Sequence, residues 1–392
     1  MPTPPVRTIT LGIAEAHPLS SSVIARAKTV LAQAQQRFSA EGYEVQTVRL
    51  STRPVFDDLA AYSPAALLRY THELQHMLAD AGLEFCSLGP ALAARSDFPL
   101  TRLELIVDLL AASSALSMTV QLATLEHGMR AAAALPTAHI IELLARETAQ
   151  GLGNFRFAAV ACVSPGTPFF PAAYHAGPAN ISLGLQGAGL IVEALQEHSA
   201  ELEFSSAPGA VTQWIGEILV QRVSPLVSLA QQFAQEHELF FGGVDLSPAP
   251  LGEDSIVPAL ELCAGAPLGA PGTLAAAVAI TSALKGTLLP TCGYCGLMLP
   301  VLEDTLLGQR WEERRVNIHQ LLLYSSVCGT GLDTIPLPGS ISAEEIASLL
   351  LDVAMLAHRL QKPLSARLFP VVGREAGERT TFTSPYLTNT CI

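Results

Sequence analysis

The chain has 392 residues, a net charge of −13 and a pI near 5.2, with 49% hydrophobic and only 15% charged residues. Its acidity and the lack of any basic stretch argue against nucleic acid or an anionic membrane surface as a partner. So few charges require a large share of the length to be buried, which points to a layered α/β structure.

In chain order, "RTITLGIAEA" predicts a strand and "SSVIARAKTVLAQAQQRFSAEG" an amphipathic helix closed by Gly42. "YEVQTVRLS" is the next strand, "PAALLRYTHELQHMLADAG" its helix and "LEFCSLG" a third strand. "PLTRLELIVDLLAAS" predicts a helix, "ALSMTVQLA" a strand, and "HGMRAAAALPTAHIIELLARETAQG" a helix broken near Pro136. Later strands are "FRFAAVACV", "NISLGLQ", "HELFFGGVDLS" and "SARLFPVVG". The helix "AVTQWIGEILVQRVSPLVSLAQQFAQE" must be kinked or divided by Pro225. "LLYSSVCGTGLDTIPLPG", residues 322–339, reads as a loop made tight by glycine and rigid by proline. Alternation without a composition break or internal repeat predicts one α/β domain over 1–392, closed or nearly closed around a buried centre, with a short extended tail from about residue 374.

The longest uncharged run, 157–192, is interrupted by Pro165, Pro168, Pro171 and Pro178, so no membrane helix is expected, and "MPTPPVRTIT" does not read as a signal peptide. Seven scattered cysteines do not make a disulfide framework, so a reducing cytoplasm is expected.

The Gly/Pro-rich segments fall mostly after strands, where α/β folds build their sites. "FFPAAYH", "GGVDLSPAP", "GAPGTLAA", "TCGYCGLMLPVLED", "VCGTGLDTIPLPG" and "KPLSARLFPV" resemble the DUF711 or UPF0210 family of uncharacterised bacterial and archaeal proteins, over about residues 8–386. That family's fold is similar to that of pyruvate formate-lyase and the anaerobic ribonucleotide reductases. The resemblance implies a ten-stranded α/β barrel with a central finger loop, and Cys328 at the place of the loop cysteine that abstracts hydrogen in those enzymes. The tail "GREAGERTTFTSPYLTNTCI" lacks the Arg-Val-Ser/Thr-Gly-aromatic motif that carries a glycyl radical, and "RVSPL" at Arg222 has proline where that motif needs glycine. Any chemistry here is therefore expected to proceed without one.

Each candidate residue carries two readings. Cys328 is a thiol activated by loop N–H groups or a small residue filling a tight turn. His175, in a Pro/Gly-rich loop, is a general base or a satisfied buried histidine. Asp245 closes a strand and is either catalytic or, with Glu253 and Asp254, a ligand of Mg²⁺ or Ca²⁺. Asp333 holds a ligand or caps its loop. Tyr174, with Phe169 and Phe170, is core or pocket wall. Glu303 and Asp304 contact substrate or are surface acids beside Arg310. Arg367, inside an apolar strand, needs a carboxylate from Asp245, Asp333 or a substrate. Tyr294 lies in the C-x-x-C of Cys292 and Cys295, a redox pair or a tight turn, since no second pair exists for a structural zinc. His72 and His76 read as solvated surface. No nucleotide-binding motif is present.

Two functions follow. One is an enzyme acting through Cys328, His175 and Asp245 on a small polar, carboxylate-bearing metabolite, with Asp333, Arg367, Tyr294, Tyr174 and Glu303 binding it. The other is a catalytically silent binding or sensor protein on the same barrel. Both expect a small-molecule partner and leave homo-oligomerisation open.

Overall fold

The computed structural model describes residues 3–198, 208–327 and 329–392. Its strands are β1 (Val6–Gly12), β2 (Val45–Ser51), β3 (Cys86–Ala91), β4 (Leu116–Thr124), β5 (Gly128–Met129), β6 (Phe157–Ala161), β7 (Asn180–Leu185), β8 (Phe240–Asp245), β9 (Gly331–Pro338) and β10 (Leu364–Val371). They form one mixed sheet in the order β8-β7-β1-β2-β3-β4-β6-β10-β9, with β5 paired to β4. Strands β1, β2, β3, β4 and β6 run parallel to one another. The parallel pairs β7–β8 and β9–β10 flank them, each joined antiparallel. Residues 290–302 reach both edge strands: Val244 N–H donates to Pro290 O at 2.9 Å, and Val301 N–H to Asp333 O at 3.1 Å.

Helices shield the outer face, and two examples show why they form where they do. Ser63 caps the helix Pro64–Ala81 by accepting from Ala66 N–H, with proline at its first position and Gly82 left-handed at its end. Ser342 and Glu345 form a reciprocal capping box on Ala343–Leu360. The apolar faces of these helices join Ile9, Leu11, Leu50, Leu116, Met118, Val120 and Leu122 of the strands in one large core cluster.

The other face of the same strands is buried and polar. Thr8 and Thr10 of β1, Arg49 and Ser51 of β2, Ser87 of β3, and Ser117, Thr119 and Gln121 of β4 are all buried. Buried polar groups need partners, and a segment crossing this inner face supplies many of them. Thr10 donates to Pro168 O at 2.9 Å, Ser87 to Ala173 O at 2.5 Å and Gln121 to Val163 O at 3.1 Å. Residues 163–175 are therefore held inside the sheet by side chains of three strands. Gly184 of β7 makes room for Phe169 of this segment, because a Cβ there would meet its ring.

Two expectations change. Most of the segment expected as a loop is regular: the helix Ile318–Val327 ends within it and β9 follows, with Gly329 and Thr330 described between them. Pro336 and Pro338 fit there because β9 ends the sheet, and an edge strand tolerates missing donors. The helix Pro208–Glu236 runs undivided through Pro225. Pro136 lies in the first turn of Ala134–Glu147, where the missing N–H costs little, and the break falls before it. No helix among the described residues is long and apolar enough to cross a membrane.

Candidate functional site: a buried arginine-lined cavity

A cavity of about 80 Å³ lies on the polar inner face. Its lining draws on β1 (Arg7), β2 (Arg49), β4 (Ser117), β6 (Ala158), β9 (Asp333) and β10 (Ser365, Arg367), with aromatic walls from Phe85, Phe155, Phe169, Phe170 and Tyr294. A second cavity of about 220 Å³ shares Arg7, Arg49, Phe85 and Phe155 with it and is bordered by Tyr386. Tyr386 stacks on Phe155 at 5.7 Å between ring centroids and meets Phe85 edge-on. The C-terminal segment is thus drawn across the outer cavity as a strap. Leu387 and Phe382 fasten it by packing with Leu302 and Phe369.

Charge in the cavity is ordered as a chain. Arg7 donates to Glu303 at 3.3 Å, Arg367 donates to the other oxygen of Glu303, and Arg367 Nε donates to Asp333 at 2.5 Å. Burial alone would lower the Arg367 pKa, but the charges of Asp333 and then Glu303 outweigh it and push it up. Thr334 sits at φ 46°, sparsely populated for a β-branched residue, beside a register irregularity between β9 and β10. This bulge lies at the point where Asp333 meets Arg367.

Arg49 differs from its neighbours. It is 7% exposed, and among the described residues no carboxylate forms an ion pair with it. Its Nε donates to Thr47 at 3.0 Å, and its guanidinium lies 5.2 and 5.1 Å from the ring centroids of Phe85 and Phe170. No described residue pairs with its two Nη groups. Burial, and then the charge of Arg7, pushes its pKa down to about 9, so it is still cationic at neutral pH. Arg156, the fourth arginine of the lining, gives its donors to Leu110 O, Leu116 O and the Ser113 hydroxyl.

The expected site residues divide into two groups. Asp333, Arg367, Tyr294 and Glu303 come together in the cavity. Arg367 is buried and paired as its place in an apolar strand required, with Glu303 as a second partner beside Asp333. Glu303 is not a surface acid, and Arg310 pairs with Glu261 and Glu313 instead. Asp304 is fully buried as the N-cap of the helix Thr305–Glu312.

Tyr174, His175 and Asp245 are not part of the lining. The Tyr174 hydroxyl donates to Val163 O. His175 Nε2 faces the Gly177 carbonyl at 3.1 Å, and burial lowers its pKa, so it is held neutral. Asp245 is fully buried and accepts from Ser247 N and Oγ, Tyr294 N and Cys295 N. It therefore braces the C-x-x-C turn from behind, and Gly293 at φ 69° is required there because a Cβ would strike its carboxylate. Burial of Cys295 pushes its thiol up to about 12, and burial raises Cys292 as well. Cys328 lies outside the described residues. Its neighbour Gly329 packs on Gly296, and Thr330 lines the cavity.

Asp245, Glu253 and Asp254 do not gather. Glu253 is exposed and Asp254 accepts from Gln186 at 2.6 Å. Among the described residues no group of three or more His, Cys, Asp or Glu side chains is placed to hold a metal ion.

Sequence reading missed Arg7, Arg49 and a second buried polar cluster. His17 Nδ1 lies 2.6 Å from the Tyr70 hydroxyl and Nε2 lies 2.8 Å from the Thr52 hydroxyl. Thr52 gives its own proton to Ser87 O, so His17 Nε2–H donates to Thr52 and Nδ1 accepts from Tyr70, and burial holds the ring neutral with a pKa lowered to about 4.

The profile of the family described as "Uncharacterised ACR (DUF711)" matches residues 3–383. A UPF0210 protein of Pyrobaculum aerophilum is 31% identical over 354 residues, covering 86% of this chain and 76% of its own. UPF0210 proteins of a Thermoanaerobacter species and of Halothermothrix orenii are each 26% identical, covering 96% of this chain and 88% of theirs. The match across nearly all of the sheet and the cavity residues places the chain in the DUF711 (UPF0210) family.

Proposed function

We propose that this protein binds a small carboxylate-bearing metabolite in the arginine-lined cavity and acts on it with the thiol of Cys328, without a glycyl radical. The observation that carries the binding half is Arg49: a buried guanidinium without a carboxylate is costly, and a ligand anion supplies the missing charge. Arginine is also the side chain whose fork matches a carboxylate. The catalytic half is supported by Thr330, which lines the cavity two positions after Cys328. The same reading closes the sheet into a barrel of the pyruvate formate-lyase type. Its support is the segment 290–302, hydrogen-bonded to β8 and to β9, together with residues 163–175 threaded across the inner face. The six cysteines among the described residues are free thiols, which supports a reducing compartment such as the cytoplasm.

One observation favours the silent binding protein instead. Asp245 and His175, the groups expected to assist a thiol, are engaged elsewhere. The two readings are separated by following alkylation of Cys328 by mass spectrometry in a metabolite screen. The enzyme reading expects rapid labelling near pH 7 that a stabilising ligand suppresses. Slow labelling that rises only near the ordinary thiol pKa of about 8.5, alongside a ligand-induced rise in Tm, establishes the binding protein. A screen in which no small anion raises Tm overturns both.

A further inference from the structure

We infer that the cavity selects a short monoanionic carboxylate and rejects dianions such as phosphate or dicarboxylates. This rests on the anion-binding reading above and narrows it to a ligand class.

The first argument is a count of charges. The lining holds four guanidinium groups, Arg7, Arg49, Arg156 and Arg367, and two carboxylates, Glu303 and Asp333. Arg7 and Arg367 are neutralised by Glu303 and Asp333 within one chain of ion pairs. Arg156 is half-buried and satisfied by carbonyl oxygens, Leu110 O being at the end of the helix Leu105–Ala111 where a cation is favoured. Four guanidiniums against two carboxylates leave two positive charges, on Arg156 and Arg49, and of these only Arg49 has donors open to a ligand. A monoanion is matched by that single fork. A dianion brings a second negative charge to a wall that already carries Glu303 and Asp333, and in a cavity of low dielectric that repulsion is weakly screened.

The second argument is shape. With Nε committed to Thr47 and the rings of Phe85 and Phe170 lying 5.2 and 5.1 Å from the guanidinium, the Nη groups carry the donors left open. A planar carboxylate meets them through two parallel hydrogen bonds. The third argument is size. About 80 Å³ accommodates roughly six water-sized groups, at 10–15 Å³ each, so an acid of few carbons fits without entering the adjoining 220 Å³ cavity. The buried hydroxyls of Ser117, Tyr294 and Thr330 also line the cavity without a hydrogen-bond partner among the described residues, and are available to a ligand's polar atoms.

The test is calorimetric titration of the intact protein with propionate, lactate, inorganic phosphate and succinate at constant ionic strength, repeated on Arg49→Gln. Propionate and lactate are expected to bind at least about tenfold more tightly than phosphate or succinate, and Arg49→Gln to weaken them at least about tenfold, a difference of about 1.4 kcal/mol. Phosphate or succinate binding as tightly as propionate, and losing affinity in Arg49→Gln, overturns the monocarboxylate class but keeps the anion site. Binding indifferent to Arg49→Gln, or no binding by any of the four, overturns both. Selectivity is read on the unmutated chain, so a variant that fails to fold does not remove the test.

Discussion

Arg49 and Thr47 lie two positions apart on β2, and the 3.0 Å bond from Nε of the one to the hydroxyl of the other fixes which edge of the guanidinium is left open. The threonine consumes the donor nearest the strand. The two Nη groups remain open beside the ion-paired guanidiniums of Arg7 and Arg367.

Arg49 and Arg367 should therefore answer mutation in opposite ways. Arg49→Met removes an unpaired buried charge, and stability is expected to hold or rise while anion affinity is lost. Urea titration of the unliganded variant checks this. A fall of more than about 2 kcal/mol would mean that Arg49 has a structural partner after all.

Arg367→Met strands Asp333 and half of Glu303 without their cation, and is expected to cost about 3–5 kcal/mol. Arg26→Met removes an exposed pair with Glu15 and is expected to cost under about 0.5 kcal/mol. Equal denaturant midpoints for the two variants would contradict the ion-pair chain.

Two buried groups set opposing pH dependences. His17 titrates near pH 4 in the folded chain against 6.5 ordinarily. Between those values the unfolded chain holds a proton that the folded one refuses, so this contribution is lost as pH falls. Asp304 is shifted up by burial, from 3.8 to about 6. There the folded chain holds the extra proton, so its contribution is lost as pH rises through the same window. The stability advantage of wild type over His17→Gln should shrink from pH 7 to pH 4, by on the order of 3 kcal/mol. Its advantage over Asp304→Asn should grow over the same interval. Parallel curves for wild type and both variants would exclude these assignments.

Burial pushes the thiols of Cys86, Cys263 and Cys295 up to about 12. In the native protein at pH 7.5 these three should resist iodoacetamide, while the half-buried Cys391 labels before them. Site-resolved mass spectrometry over a time course checks the order. Early modification of Cys295 would mean that the turn braced by Asp245 opens readily.

The alternation of strands and helices was legible because the helices carry apolar stripes and several carry end signals such as Ser63 and Gly82. Strand β9 was not, because Pro336 and Pro338 are breakers unless the strand is known to lie at the sheet's edge, and edge position is a tertiary fact. Arg367 could be placed from sequence, since a charge within an apolar strand demands a partner. Arg49 escaped the same argument because "VQTVRLS" looks like a strand with one wet face. The available signal was collective. "RTITLG", "VQTVRLS" and "LSMTVQLAT" all alternate polar and apolar residues in a chain too poor in charge to leave many sheet faces in water. Their polar faces must meet one another inside. Glu303 carried both readings in the sequence, ligand contact and surface acid, since Asp304 and Arg310 made it resemble part of a solvated helix end.

The ion pair between Arg7 and Glu303 joins residues 296 positions apart. Topology of this kind makes folding slow, because distant segments must be brought together before their contacts repay the entropy of closing so long a loop. The cavity is consequently complete only where these distant segments have met. Partly folded chains can hold helices and neighbouring strands, yet they lack an Arg7–Glu303–Arg367–Asp333 chain and cannot oppose Arg49 to its surroundings. A bound anion would then act as a marker of completion, recovering in step with the slowest refolding phase and stabilising only chains whose two ends have already met.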